Sequence, residues 1–278
     1  MKKFSIFFAV AILSAFTCCK SSDPDGEGDD ISVFEVDQSI RSAARCYLIT
    51  SEEGDSVYLT LSTSMQWPVK LDEVNIKPLR KALLFHTYAD STMSVNAAMK
   101  AFISNTEELE LTEGATAVEV DSVPSGDSSW TYFLSADASV MELTTSYITY
   151  NITSSSYLGG AHPLTGSYRF TYDFANECIL TIDNMFIPGC KGFLVSTIRD
   201  ALARQLMIDP SELDGVGYFT DQLTEPGQPY VQNGTVVFHY NPYEIAPYSM
   251  GDTDVVVYPY QIESVMTPQL RALLDCEL

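Results

Sequence analysis

Few residues in this chain have strong chemical character. Histidine occurs three times (His86, His162, His239), and His162 closes the run Gly159-Gly160-Ala161-His162. Paired glycines let a ligand or a second backbone approach closely, and an imidazole can give or take a proton. The same residues also suit a tight corner before a strand, with His162 hydrogen-bonded in place. A second group, Tyr243, Glu244 and Tyr248, lies within Asn241-Pro242-Tyr243-Glu244-Ile245-Ala246-Pro247-Tyr248. Its prolines fix φ and bar a helix longer than a turn, while its tyrosines offer amphipathic contact surface at little entropic cost. The run therefore suits either a preorganised binding loop or a turn in which Tyr243 and Ile245 pack inward and Glu244 bonds nearby amides. Nucleophilic catalysis needs a base and an orienting partner, and no nucleophile elbow, Walker loop or H-E-x-x-H occurs. No cysteine pair has C-x-x-C spacing, so no zinc site is expected. These observations predict a protein that is not an enzyme and uses no metal or cofactor.

The elements that must position these residues are legible from periodicity. Ala44 to Thr50 and Ser56 to Leu61 read as strands around the turn Glu52-Glu53-Gly54-Asp55. Asn75 to Tyr88 and Ser94 to Ile103 carry apolar residues at helical spacing, with Ser94 as an N-cap. Ala115 to Val123, Ser129 to Ser135 and Ser139 to Thr153 are expected as antiparallel strands, turning at Pro124-Ser125-Gly126-Asp127 and at Ala136-Asp137. Gly166 to Phe174 and Cys178 to Ile182 form a hairpin, and Lys191 to Met207 an amphipathic helix. Asn233-Gly234 is a strong turn dipeptide within Val231 to Tyr240. Asp254 to Tyr258 is a strand, and Thr267-Pro268 opens a last helix. Segregated strands and helices predict an α+β fold of antiparallel sheets in two sub-domains, 31–156 and 157–278.

Upstream of the folded part, Lys2 and Lys3 precede the short apolar stretch Phe4 to Phe16, which reads as a signal peptide over residues 1–18. Phe16-Thr17-Cys18-Cys19 resembles a bacterial lipobox, with Cys19 favoured as the lipidated residue and Cys18 as the alternative. Residues 19–30 are polar and rich in Gly and Asp, and read as a flexible acidic tether. This organisation predicts a lipid anchor in the outer membrane or at the cell surface, with the periplasmic leaflet left open. The formal net charge is −22, and loss of Lys2 and Lys3 with residues 1–18 takes it to −24. Such a balance disfavours nucleic acid and anionic surfaces and draws in cationic partners.

Four further cysteines, Cys46, Cys178, Cys190 and Cys276, permit two disulfides in three pairings. Cys178 and Cys190 flank a short strand and loop, which makes them plausible partners and leaves Cys46 with Cys276. Tyrosine is enriched, with 16 copies against two tryptophans. Exposed aromatics can stack on sugars, whereas half-buried strand positions explain most tyrosines without a ligand.

Two segments carry a family resemblance. Tyr157-Leu158-Gly159-Gly160-Ala161-His162-Pro163 with Ser167 to Asp173, and Val236 to Tyr248 with Gly251 and Val255 to Tyr260, resemble the extracytoplasmic domain of RsiV-type anti-sigma factors. That domain also occurs in bacterial lipoproteins of unassigned role. The resemblance covers about Tyr157 to Val265, and residues 31–156 resemble its usual partner domain in outline. It implies a non-catalytic α+β domain that binds lysozyme. No membrane-spanning helix and no cytoplasmic segment are expected, so sigma-factor signalling is not expected to carry over. The expected partner is lysozyme or another cationic envelope protein, the alternative a carbohydrate or peptidoglycan. The candidate binding residues are Gly159, Gly160, His162, Tyr243, Glu244 and Tyr248.

Overall fold

The computed structural model describes residues 40–71, 74–106, 114–123 and 131–275. The signal peptide, Cys19, the tether and Cys276 lie outside the described residues, which all fall in one compact unit, Phe34–Leu278. The chain opens with a hairpin of β1 (Ile40–Thr50) and β2 (Ser56–Gln66), followed by helices α1 (Lys77–Tyr88) and α2 (Val95–Ser104). Strands β3 (Thr116–Val120), β4 (Thr131–Leu143), β5 (Tyr147–Tyr157), β6 (Leu164–Asp173) and β7 (Cys178–Ile179) come next. Together β1 to β7 form one seven-stranded sheet in the order β3-β1-β2-β4-β5-β6-β7. Every pair in it is antiparallel except β2 with β4, whose connection runs through the helices as a parallel crossover requires.

The second layer begins with the short helix α3 (Ile182–Met185) and the long α4 (Lys191–Leu206). A three-stranded antiparallel sheet follows, made of β8 (Gln228–Gln232), β9 (Thr235–Tyr240) and β10 (Thr253–Val257) in the order β10-β9-β8. Helices α5 (Pro259–Ile262) and α6 (Pro268–Asp275) close the chain. The fold is α+β, and local chemistry explains most of its boundaries. Ser94 caps α2 by accepting the Ala97 N–H at 3.3 Å, and Met207 ends α4 in the left-handed conformation at φ 59°. Asn233 and Gly234, at φ 50° and 66°, make the tight β8–β9 turn that the dipeptide predicts.

The turn expected at Ala136-Asp137 is not formed. Both residues lie inside β4, which is paired on both sides, to β2 and to β5. Ala136 is buried, and Asp137 accepts a hydrogen bond from Ser64 Oγ at 2.5 Å. The chain reverses at Thr144-Thr145-Ser146 instead, where Thr144 Oγ1 accepts the N–H groups of Ser146 and Tyr147, each at 3.0 Å. Residues 156 and 157, on either side of the expected sub-domain boundary, both lie within β5, which pairs with β4 and β6 on its two edges.

Alternation along the strands builds two main cores. Ile148, Tyr150 and Ile152 of β5 with Phe170 and Tyr172 of β6 pack against Leu79, Leu83 and Met99 of α1 and α2. Val236 and Phe238 of β9 with Val255 and Val257 of β10 pack against Leu194, Ile198 and Leu202 of α4. Between the two sheets Tyr147 of β5 joins the second core, and the contact beside it is polar. Thr171 Oγ1 accepts the Val231 N–H at 2.8 Å, while Thr149 Oγ1 donates to Val231 O at 2.7 Å and lies 2.8 Å from Thr171 Oγ1. Both threonines are fully buried. Thr171→Val keeps the shape but strands the buried Val231 N–H, so it is expected to cost ~1–3 kcal/mol. Urea unfolding checks this as a lower midpoint at unchanged slope.

Candidate functional site

The conspicuous run after β9 is built on Asn241. Its side-chain amide mimics a strand beside β6: Oδ1 accepts the Ser167 N–H at 2.6 Å and Nδ2 donates to Ser167 O at 3.1 Å. The Asn241 N–H donates to Glu244 Oε2 at 2.9 Å, and the Glu244 N–H returns to Asn241 O at 3.1 Å. Tyr243 N–H donates to Ala246 O at 2.9 Å, and Ile245 and Ala246 are buried, with Ile245 O accepting from Phe219 N–H at 2.8 Å. Asn241, Ile245 and Ala246 therefore hold the loop to the body. Tyr243 points the other way: it is 53% exposed and sits at φ 73°, a strained conformation for a bulky side chain.

The Gly-Gly-Ala-His run links β5 to β6 and is exposed throughout. Gly159 and Gly160 have φ of 96° and 104°, and a Cβ on Gly159 would come 3.0 Å from Tyr132 Oη. Both positions thus need glycine for conformation, and the first also for close approach. Tyr157 Oη donates to Gly160 O at 3.0 Å and fastens the corner. His162 Nδ1 donates to Pro163 O at 2.8 Å, which assigns the proton to that nitrogen in the neutral ring.

The two loops meet. His162 stacks on Tyr248 with centroids 4.0 Å apart and planes 19° from parallel, and Tyr248 stacks on Tyr243 at 5.7 Å. Tyr248 Oη donates to Pro163 O at 2.6 Å and ties one loop to the other across 85 residues of sequence. The result is one aromatic stack, His162–Tyr248–Tyr243, standing on a fixed base. Beside it lies a groove of about 330 Å³ whose lining includes Tyr168, Gln222, Gln228 and the carboxylates of Glu225 and Glu244.

The cysteines are elsewhere. Cys46, Cys178 and Cys190 are free thiols, so the expected Cys178–Cys190 bridge is not formed. The strand that opens at Cys178 ends at Ile179, and α3 with the Pro188-Gly189 turn then separates the two thiols. Cys178 Sγ faces Gln269 Nε2 at 3.2 Å and Asn184 Nδ2 at 3.8 Å. Cys190 precedes α4 and packs beside Ile182, where burial pushes its thiol pKa up. Cys46 lies 3.7 Å from Thr60 Oγ1.

Sequence reasoning missed a charged cluster between the sheets. Arg169 of β6 donates to both Asp254, in a very short contact, and Asp252, at 3.3 Å, and its Nε donates to Asn151 Oδ1 at 3.2 Å. His239 of β9 is buried and lies with Nδ1 2.8 Å from Asp254 Oδ1, while its Nε2 has no hydrogen-bond partner and lies 3.9 Å from Asp252. The guanidinium also sits over the Tyr230 ring at 5.7 Å. The one available signal was charge at inward-facing strand positions, since Arg169, His239 and Asp254 lie on strands whose alternate residues are apolar and buried.

Burial raises the Asp254 pKa, but the hydrogen bond from His239 and the charge of Arg169 outweigh it and hold the carboxyl below its ordinary value. Burial, reinforced by Asp254, pushes the Tyr230 phenol up to about 12. A depressed carboxylate stabilises the fold above its unfolded-state pKa, near 3.8. That contribution is lost as pH falls through the lower folded-state value. Arg169→Met leaves two carboxylates without their cation and is expected to cost ~3 kcal/mol at neutral pH. The deficit shrinks in acid, where protonation removes the repulsion, and urea unfolding at pH 7 and in acid reads the difference.

Residues 183–260 match the model of a protein family of unknown function, DUF3298. The match contains the Asn241 to Tyr248 loop and starts after the Gly159 to His162 loop. Among curated proteins none matches the chain. A crystal structure of a DUF3298-family member from Bacteroides fragilis NCTC 9343 is similar at a TM-score of 0.66 with 16% identity, covering 88% of this chain and 100% of its own. One from Pseudomonas aeruginosa PAO1 is similar at 0.52 with 18% identity, covering 84% of this chain and 96% of its own. These are likenesses of fold, and within that fold residues 183–260 form a segment that matches DUF3298.

Proposed function

We propose that this is a non-catalytic, lipid-anchored protein of the bacterial cell envelope, held through Cys19 and displayed at the surface. Its His162–Tyr248–Tyr243 stack docks a cationic envelope protein of the lysozyme type. The observation that carries this reading is the convergence of the two loops. Segments about eighty residues apart meet in one aromatic stack, and the chain holds Tyr243 at φ 73° with half its surface exposed. Backbone strain at an exposed aromatic points to a role outside folding. Rigid tyrosines on a fixed base make low-entropy anchors. Glu225 and Glu244 in the adjoining groove are suited to a basic side chain, and the net charge of −24 left after loss of residues 1–18 steers a cationic partner inward. Glu225 already pairs with Lys191 in a very short contact, so a basic partner would compete for that carboxylate.

The test is binding of the chain from Lys20 onward to lysozyme at low and high salt. Binding is expected at low salt and should weaken by roughly tenfold or more at high salt. Absence of binding at low salt would sink the reading. Tyr243→Gly separates contact from architecture. Glycine relieves the positive-φ strain of ~1 kcal/mol but adds unfolded-state entropy of similar size. The unfolding midpoint should therefore stay within ~3 °C. Affinity should nonetheless fall roughly tenfold with loss of the anchor.

A further inference from the structure

Away from the three-stranded sheet, part of one face of the seven-stranded sheet joins none of the hydrophobic cores among the described residues. Leu59 and Leu61 of β2 and Ala138 of β4 point into the cores with α1 and α2. Their alternates point the opposite way, and strand register places these side by side. Ala44, Ser62, Ser135, Ser155 and Thr165 form one row across β1, β2, β4, β5 and β6. Ser42, Ser64, Asp137 and Thr153 form the next row on one side. Cys46, Thr60, Phe133 and Tyr157 form the row on the other. All thirteen side chains are half-buried or exposed. Strand geometry spaces such neighbours by about 4.8 Å across strands and about 7 Å along them.

The chemistry of this face is unlike the rest of the chain. Overall, 19% of residues are charged and the net charge is −22, yet in these three rows Asp137 is the single charged residue. Eight of the thirteen are serine or threonine. A shallow depression of about 300 Å³ lies over Ser42, Ala44, Ser62, Ser64 and Asp137. Ser64 Oγ occupies Asp137 Oδ1, which leaves Oδ2 as an acceptor for a ligand. At the edge of the lattice of hydroxyls the Phe133 and Tyr157 rings lie 6.4 Å apart.

We propose that this face binds a neutral glycan. Serine and threonine hydroxyls both donate and accept, as sugar hydroxyls do, and a carboxylate oxygen accepts from two of them. The small side chains let a sugar chain lie close to the sheet, and Phe133 with Tyr157 offers aromatic surface to the C–H face of a ring. A protein partner would want apolar anchors at the centre of the contact, where this face carries hydroxyls. A cationic ligand would meet one carboxylate only. The face shares only Tyr157, which fastens the glycine corner, with the loops of the aromatic stack, and the proposal does not rest on the reading given for that stack.

Affinity electrophoresis of the chain from Lys20 onward tests this, in gels containing soluble glucan, mannan, galactan or xylan, with polygalacturonate as an acidic control. Retardation is expected with at least one neutral polysaccharide and not with the acidic one. Ser135→Lys, which lays a long charged side chain across the central row, and Asp137→Asn should each weaken retardation by roughly tenfold. Tyr243→Gly should leave it unchanged. Thermal midpoints confirm that the variants fold, and Asp137→Asn decides the matter if Ser135→Lys does not. Unaltered migration in all four neutral gels would overturn the proposal. So would equal retardation by polygalacturonate, or full retardation retained by the folded variants.

Discussion

The second half of strand β6 is buried on both faces, and the residues it turns toward the second layer are polar. Phe170 and Tyr172 enter the core beneath α1, and Tyr168 stacks on His86 with centroids 3.9 Å apart. The alternate residues Arg169, Thr171 and Asp173 face the second layer, where an unpaired polar group would cost more than most apolar contacts return. Each is matched. Thr171 takes the Val231 N–H, Arg169 takes two carboxylates, and Asp173 accepts from Ala175, Asn176 and Gln269. Apolar area alone would let the three-stranded sheet slide against β6. Matched donors and acceptors leave one seating, since a shift of one residue would strand several buried groups together.

That seating decides where the loops go. With Val231 locked opposite Thr171 and Asp254 opposite Arg169, β9 ends beside Ser167, and Asn241 completes the pairing there. The β5–β6 connection leaves the same end of the sheet, so its glycine corner and the Pro242–Pro247 loop share one corner of the molecule. Tyrosine does much of the fastening. Tyr47, Tyr150, Tyr172 and Tyr240 each donate a phenol to the backbone carbonyl of a residue outside their own strand. Tyr157 and Tyr248 do the same at the loops themselves. These six tyrosines are thus architectural, whereas Tyr243, Tyr258 and Tyr260 stand exposed.

The fold was legible wherever a single segment carries its own instructions. The spacing of Leu79, Leu83 and Leu84 announces α1, Ser94 marks the start of α2, and Asn233-Gly234 specifies the β8–β9 turn, because each depends on residues a few positions apart. Ala136-Asp137 misled for the converse reason. Local turn character there yields to pairing with β2, some seventy residues earlier, and with β5. The Cys178–Cys190 expectation rested likewise on spacing alone, and α3 lies between the two free thiols along the chain. Of the candidate site, the residue identities were legible and their meeting was not. His162 and Tyr248 meet through a stack and the Tyr248–Pro163 hydrogen bond across 85 residues of sequence, which no local pattern announces.

The strain at Tyr243 bears on what the loop is for. A bulky residue at φ 73° persists only when its neighbours over-determine it. Here Asn241 is clamped to β6 on one side, and Ile245 and Ala246 are buried on the other, with the Tyr243 N–H bonded to Ala246 O. A loop that merely connected β9 to β10 could relax this by placing glycine or asparagine at that position. Holding tyrosine there instead fixes an exposed ring before any partner arrives. The ordering cost that a flexible loop would meet on binding is then already met by the folding of the body, and the polar seam along β6 is what makes that transfer possible.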